Sequence, residues 1–176
     1  MITIIILTLL IIITILASII YRLNNLLDFY KLRIDKAEEQ IEEELDNRYS
    51  IVKEIQKTIE KSTKMELKIY KDLDELKDKK TISTIEYDNL LNELVDMIYL
   101  IENDYPKISK KKDFKETIVK LNESNSIISA AKAFYNENNQ DMNELLKKFP
   151  TNILGKFKRI KIKPNYEVED YMEDEN

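Results

Sequence analysis

The N-terminal stretch of this chain is an apolar run that no charged side chain interrupts, and it constrains everything that follows. The run extends from Ile2 to Tyr21, and its few polar side chains carry only hydroxyl groups. In a helix, about 20 residues at roughly 1.5 Å each cover the roughly 30 Å hydrocarbon core of a bilayer. The run therefore predicts a transmembrane anchor over residues 1–22, with a polar body beyond it.

A cleaved signal peptide is the competing interpretation of this run. Signal peptides place basic residues before a shorter apolar core and small residues at the cleavage site. Here no Lys or Arg precedes the run, and Ala17-Ser18-Ile19 is a poor cleavage triplet. Basic residues follow the run instead, so the positive-inside rule predicts a cytoplasmic body and an N-terminus outside the membrane. These basic residues are Arg22, Lys31, Arg33 and Lys36.

Composition narrows the chemistry of the body. The 176 residues include one Gly, three Pro, no Cys and no His. Few helix breakers predict long helices, and hence an all-α fold. Without Cys or His, zinc-thiolate sites and histidine-dependent triads are impossible, so we assign no catalytic or metal residues and expect no cofactor. The formal charge of −5 gives no general reason to bind nucleic acid.

The first part of the body has a helical seam. From Leu23 to about Lys77 the apolar residues recur at alternating steps of three and four, which is typical of coiled coils and bundles. The phase slips between Leu45 and Tyr49, which permits either one continuous helix or a break. The seam residues are Leu23, Leu27, Tyr30, Ile34, Ala37, Ile41, Leu45, Val52, Ile55, Ile59, Ile69, Leu73 and Leu76.

Two further helices complete the predicted bundle over residues 23–152. After a connection at Asp78-Lys79-Lys80, the capping box Ser83-Thr84-Ile85-Glu86 starts a second helix, which Pro106 ends. A third helix continues to about Lys148, and its apolar face predicts that Tyr135 and Phe149 are buried. This helix is rich in Asn, a residue that can fix helix register at seam positions.

The C-terminal tail, residues 153–176, is basic and then acidic, and we expect it to be largely disordered. Its basic part alternates with apolar residues. This pattern favours either contact with an anionic membrane surface or an exposed tail that contacts nothing specific. The candidate membrane-surface residues are Lys156, Lys158, Arg159, Lys161 and Lys163.

Several separated blocks of residues together resemble one known family. The blocks include Arg33-Ile34-Asp35-Lys36-Ala37, Tyr105-Pro106 with Phe114, Ala131-Lys132, Tyr135-Asn136 and Phe149-Pro150-Thr151-Asn152. The chain resembles the LemA family of bacterial membrane-anchored helical proteins, over all but the acidic tail. The resemblance implies a single-pass protein of the bacterial inner membrane, with its N-terminus outside and a cytoplasmic antiparallel bundle, and it implies no established reaction.

The number of helices decides where the basic tail lies. The family usually has a Pro where this chain has Lys53, so the resemblance favours a break near Tyr49 while the residues themselves favour one helix. With three cytoplasmic helices the last one points away from the membrane, and with four it returns. Of the predicted three to four long helices, we favour four, with a break near Tyr49 and the tail near the membrane.

Three functions are compatible with this architecture. The first is a membrane-tethered, non-enzymatic scaffold or adaptor, whose partners are the lipid bilayer and an unidentified protein. The second is a homo-oligomeric coiled-coil rod, in which the seam pairs between copies of the chain. The third is a metal-dependent enzyme that uses carboxylates alone, but acidic clusters such as Glu42-Glu43-Glu44 read as outer helix faces. The sequence favours the scaffold and no enzymatic activity.

Overall fold

A computed structural model describes residues 1–63 and 82–167, and within these ranges it contains helices and no strand. The predicted all-α fold is confirmed. The helices are α1 (Ile2–Thr63), α2 (Thr84–Asp104), α3 (Pro106–Ser109), α4 (Lys112–Lys147) and α5 (Thr151–Phe157).

Helix α1 is a single element of 62 residues. It contains neither Gly nor Pro and runs through Tyr49, so the break expected there is wrong. The seam is continuous because Arg48 occupies the position between Leu45 and Val52, and its side chain is buried. The apparent phase slip is therefore a charged residue within an apolar seam. Residues 64–77 of the predicted first helix, and the connection at Asp78-Lys79-Lys80, lie outside the described residues.

The predicted boundaries of the second helix are confirmed by its caps. Ser83 is the N-cap of α2, and its hydroxyl oxygen accepts a hydrogen bond from the backbone N–H of Glu86 at 3.2 Å. The helix ends at Asp104, and Pro106 begins the short helix α3. Proline is favoured at the first position of a helix because a backbone N–H at that position would have no partner within the helix.

The chain divides into two compact units, which are described separately. Unit 1 contains residues 1–38 and 133–166, and unit 2 contains the described residues between 39 and 132 together with Glu167. In unit 2, α4 runs antiparallel to α1 while α2 runs parallel to it. Two side-chain hydrogen bonds, Lys111–Ser62 and Ser124–Glu44, show that α4 is antiparallel to α1. Two others, Thr84–Glu42 and Arg48–Asn92, show that α2 is parallel to α1.

Unit 1 packs the last part of α4 against α1, and here one burial prediction is confirmed and one is wrong. Tyr135 is 2% exposed, and its ring meets that of Tyr166 edge to face at 4.9 Å between centroids. Phe149 is 80% exposed. The reason is that α4 ends at Lys147, so Phe149 lies in the following turn and no longer belongs to the helix face that its spacing implied.

Candidate functional site: an exposed apolar segment, a docked basic tail and a buried charge cluster

The N-terminal part of α1 is apolar on every side and exposed. Its Ile and Leu side chains from Ile2 to Ile20 are 45–75% exposed. The hydroxyls of Thr8 and Thr14 donate to backbone carbonyls of the preceding turn, at 2.8 Å each, so these side chains need no outside partner. By length and composition this helix is able to cross a membrane. The environment changes at Leu27, which is fully buried within unit 1.

Three asparagines on α4 hold the residues that follow α5. The Asn136 amide forms two hydrogen bonds with the backbone of Tyr166, both at 2.8 Å. Asn139 Nδ2 donates to the carbonyls of Lys163 and Pro164, at 3.0 and 3.2 Å, and Asn143 Nδ2 also donates to Lys163, at 3.2 Å. The spacing 136, 139, 143 places the three amides on one face of the helix. These amides dock the tail to α4.

The first part of the tail that we expected to be largely disordered, residues 153–166, packs against α4 in the structure. Residues 151–157 form α5, and Tyr166 is buried against Tyr135. Compositional arguments for disorder count apolar residues, whereas this segment is held mainly by side-chain amides that bond its backbone. The acidic residues 168–176 lie outside the described residues.

The five basic residues predicted from the sequence separate into two groups. Lys158 forms an ion pair with Asp28 at 2.5 Å, and Lys163 forms one with Glu38 at 2.6 Å. Both pairs tie the tail to α1 within unit 1. The other three are solvent-exposed, and no ion pair is recorded for them within the described part of the chain. They are Lys156, Arg159 and Lys161.

The pKa of Tyr135 reflects the same docking. Burial raises the pKa of the Tyr135 hydroxyl from 10.0 to about 12, and the negative charge of Glu38 contributes to the rise. The hydroxyl donates to the carbonyl of Pro164 at 3.2 Å. The neutral form of this tyrosine is thus part of the contact that holds the tail.

Helix α5 packs by its small residues and presents its large ones to solvent. Thr151 and Gly155, four residues apart, are buried. The Thr151 hydroxyl donates to the carbonyls of Leu145 and Lys148, and a Cβ on Gly155 would collide with the Leu146 side chain. On the other side, Ile153 and Phe157 are exposed, as is Phe149 just before the helix.

Arg159 ends α5 in a left-handed conformation. The φ of Arg159 is 55°. The N–H of Arg159 donates to the carbonyl of Lys156 at 3.1 Å, and the N–H of Ile160 donates to the carbonyl of Gly155 at 2.9 Å. These two bonds form a Schellman motif, which usually has Gly at this position. An Arg here costs roughly 1 kcal/mol of backbone strain. No sequence signal for this turn is present, because the glycine that normally marks it is missing.

A buried charge cluster in unit 2 was not predicted. Lys132 Nζ lies 2.6 Å from Asp88 Oδ2, and Arg48 Nη1 lies 3.7 Å from Asp88 Oδ1, with all three side chains 1–3% exposed. Arg48 also donates to Asn92 Oδ1 at 2.6 Å. The three charged groups sum to +1. Solvent does not reach them, so the cluster offers no access to a ligand; it links α1, α2 and α4 instead.

A shallow groove of 440 Å³ lies between α1 and α4 in unit 2. Three carboxylates line it, but the described residues contain no group of three acidic side chains placed to hold a metal ion. The carboxylate-only metal site therefore gains no support from this groove. The lining residues are Glu44, Asn47, Ser50, Ile51, Glu54, Lys120, Glu123, Ser124 and Ile127.

The family model described as the LemA family matches residues 37–176, which is most of the chain. A search of the curated proteins finds no match.

Proposed function

Because this chain belongs to the LemA family, we propose that it is a membrane-tethered, non-enzymatic scaffold or adaptor that presents a helical body to protein partners in the bacterial cytoplasm. One observation carries the proposal: α1 is exposed and apolar on all sides as far as Tyr21, and packed along a seam from Leu27 onward. A helix that is apolar all round needs an apolar environment, whereas an amphipathic helix needs only a partner face.

The energy available from a bilayer supports the anchor. Fourteen exposed Ile and Leu side chains lie between Ile2 and Ile20. At about 0.3–0.6 kcal/mol for each in the membrane, they favour insertion by about 4–8 kcal/mol. In water, this apolar surface would stay exposed to solvent. The anchor predicts that the full chain stays with membranes in alkaline carbonate, and that deletion of residues 2–21 releases it. Release of the full chain by carbonate would contradict the anchor.

The orientation follows from the charge flanking the segment. Arg22, Lys31, Arg33 and Lys36 all follow it, so we expect the body in the cytoplasm of a cell with an inner membrane. A reporter that is active only outside that membrane, fused after Asn176, should be silent. The same reporter fused before Met1 is the matched control and should be active. The reverse result would invert the topology.

The scaffold role is supported by the residue types that the chain offers. It has no His and no Cys, and its described acidic residues include no metal-binding group of three. What the body offers is a set of charged outer helix faces. To test for a partner, a photo-crosslinking amino acid is placed at Asp96 or Glu116, both exposed on the body, in the full chain in living cells.

The matched control carries the crosslinker at Ile6, within the apolar segment. The scaffold hypothesis predicts a defined product with a second protein from the body positions and none from Ile6. Products that contain only copies of this chain would favour the homo-oligomeric rod over the scaffold.

A further inference from the structure

Helix α5 buries small residues and exposes large apolar ones, which is the reverse of what is usual for a helix that packs against a protein body. Its buried side consists of Thr151 and Gly155, while Ile153 and Phe157 face away. At 100° per residue these pairs lie on roughly opposite sides of the helix. Phe149, four residues before Ile153, extends the exposed apolar surface. Phe149 is 80% exposed and Phe157 is 84% exposed, while Ile153 is 45% exposed, so two aromatic rings are largely uncovered and one aliphatic side chain is half-covered in the described part of the chain.

The position of α5 along α1 indicates what covers this surface. Lys158, the residue that caps α5, pairs with Asp28 on α1 within unit 1. Asp28 is seven residues beyond Tyr21, the end of the apolar run, or about 10 Å along the helix axis. The headgroup layer extends about 5–8 Å beyond the hydrocarbon core on each side. A helix at Asp28 thus lies within one side chain's length of that layer, and tilt of α1 brings it closer.

The charges around the apolar surface match an anionic lipid surface. Lys156 lies within α5, and Arg159 and Lys161 follow it; all three are exposed. Lys158 and Lys163 are already neutralised by Asp28 and Glu38. The left-handed Arg159 redirects the chain just after the helix. Aromatic rings beside Lys and Arg are the composition of an interfacial membrane helix.

We propose that Phe149, Ile153 and Phe157, with Lys156, Arg159 and Lys161, form a second membrane-contact surface that binds anionic phospholipid next to the anchor. This inference rests on the proposed anchoring of α1. The contact inserts the three apolar side chains at the level of the headgroups and fixes unit 1 at two points on the bilayer. Each basic residue near anionic lipid strengthens the contact about fivefold, and the three together strengthen it about a hundredfold.

The test uses the absence of Trp from the chain. Full-length protein with Phe157→Trp carries a single Trp and is reconstituted into vesicles of phosphatidylcholine, with or without phosphatidylglycerol, whose acyl chains are brominated. Bromine quenches Trp fluorescence on contact. Val119→Trp is the matched control, because Val119 is 65% exposed on α4 and belongs to unit 2. A third protein adds Lys156→Gln, Arg159→Gln and Lys161→Gln to Phe157→Trp.

The expected result is a blue-shifted and quenched Trp for Phe157→Trp in vesicles with phosphatidylglycerol. Quenching should be lost in pure phosphatidylcholine and in the triple Gln protein, and absent for Val119→Trp. Because Trp itself favours membrane interfaces, equal quenching in both lipids or in the triple Gln protein would overturn the inference, as would no quenching at all. Flotation of the protein with the vesicles reports the anchor separately: an unquenched protein that floats contradicts only the second contact, and one that does not float contradicts both.

Discussion

The buried charge cluster of unit 2 makes a sharp prediction, because one carboxylate, Asp88, lies between two buried cations. Asp88 lies between Arg48 and Lys132, at 3.7 and 2.6 Å, and the three side chains are 1–3% exposed. The isosteric change Asp88→Asn keeps the volume but removes the negative charge that lies between the two buried cations. Loss of one partner from a buried ion pair costs about 3–5 kcal/mol. We therefore expect Asp88→Asn to lower the free energy of unfolding by that amount, which corresponds to roughly 10–15 °C in Tm.

The matched control removes a cation from the same cluster. Lys132→Met keeps the aliphatic stem and the contact between Arg48 and Asp88, so we expect it to cost less than about 2 kcal/mol. Adding Arg48→Met and Lys132→Met to Asp88→Asn removes all three charges and should recover most of the lost stability. If the charges decide stability, Asp88→Asn is the least stable of the three variants. If lost side-chain volume decided it, Asp88→Asn would be the most stable, because it keeps the volume.

Stability is measured on the full chain in detergent micelles by denaturant unfolding. Near-ultraviolet circular dichroism follows the unfolding of the body, because nine of the ten tyrosines lie beyond Tyr21 and the signal of the apolar segment does not dominate it. The reasoning is refuted if Asp88→Asn costs no more than Lys132→Met, or if the triple variant loses the sum of the single effects. Either result would mean that the cluster acts through packing and not through its charge.

Three further predictions concern the docked tail. Tyr135→Ala should cost about 3 kcal/mol, as for a buried core aromatic, whereas Phe149→Ala should cost less than about 0.5 kcal/mol; equal losses in denaturant unfolding would contradict the burial assigned to these two residues. Because an unfolded tyrosine ionises near pH 10.0 and the folded Tyr135 near pH 12, the unfolded state loses its proton first and stability should fall between these values; Tyr135→Phe should flatten that part of the pH dependence, and an unchanged slope would argue against the shift. Asn139→Ala removes the hydrogen bonds to Lys163 and Pro164, so trypsin should cleave at Lys161 at least about fivefold faster, with Gln140→Ala as the exposed control; equal rates would show that Asn139 does not hold the tail.

Much of the fold followed from patterns that are local in the chain. The seam from Leu27 to Ile59 is buried as its spacing predicts, and α2 begins at the Ser83 cap and ends before Pro106. The errors arose at two positions where the sequence pattern was compatible with two different structures. Arg48 looked like a loss of phase because a charged residue in a seam is normally exposed, and its partners Asp88 and Asn92 are 40 and 44 residues away in the chain. Phe149 kept the spacing of α4 although the helix had already ended.

The sequence by itself determined the elements whose stability comes from their own residues. The all-apolar run from Ile2, the helix periodicities and the caps depend on neighbours within about one turn, so they are readable without a fold. The tertiary structure alone decided how the amides of Asn136, Asn139 and Asn143 are used, which of the five basic residues are paired, and which way α5 turns its aromatic side chains. These outcomes depend on groups that meet only after the chain has folded, since Asp28 and Lys158 are 130 residues apart. A hydrogen bond or an ion pair between distant residues produces no periodic pattern along the chain, and therefore it cannot be predicted from the sequence pattern.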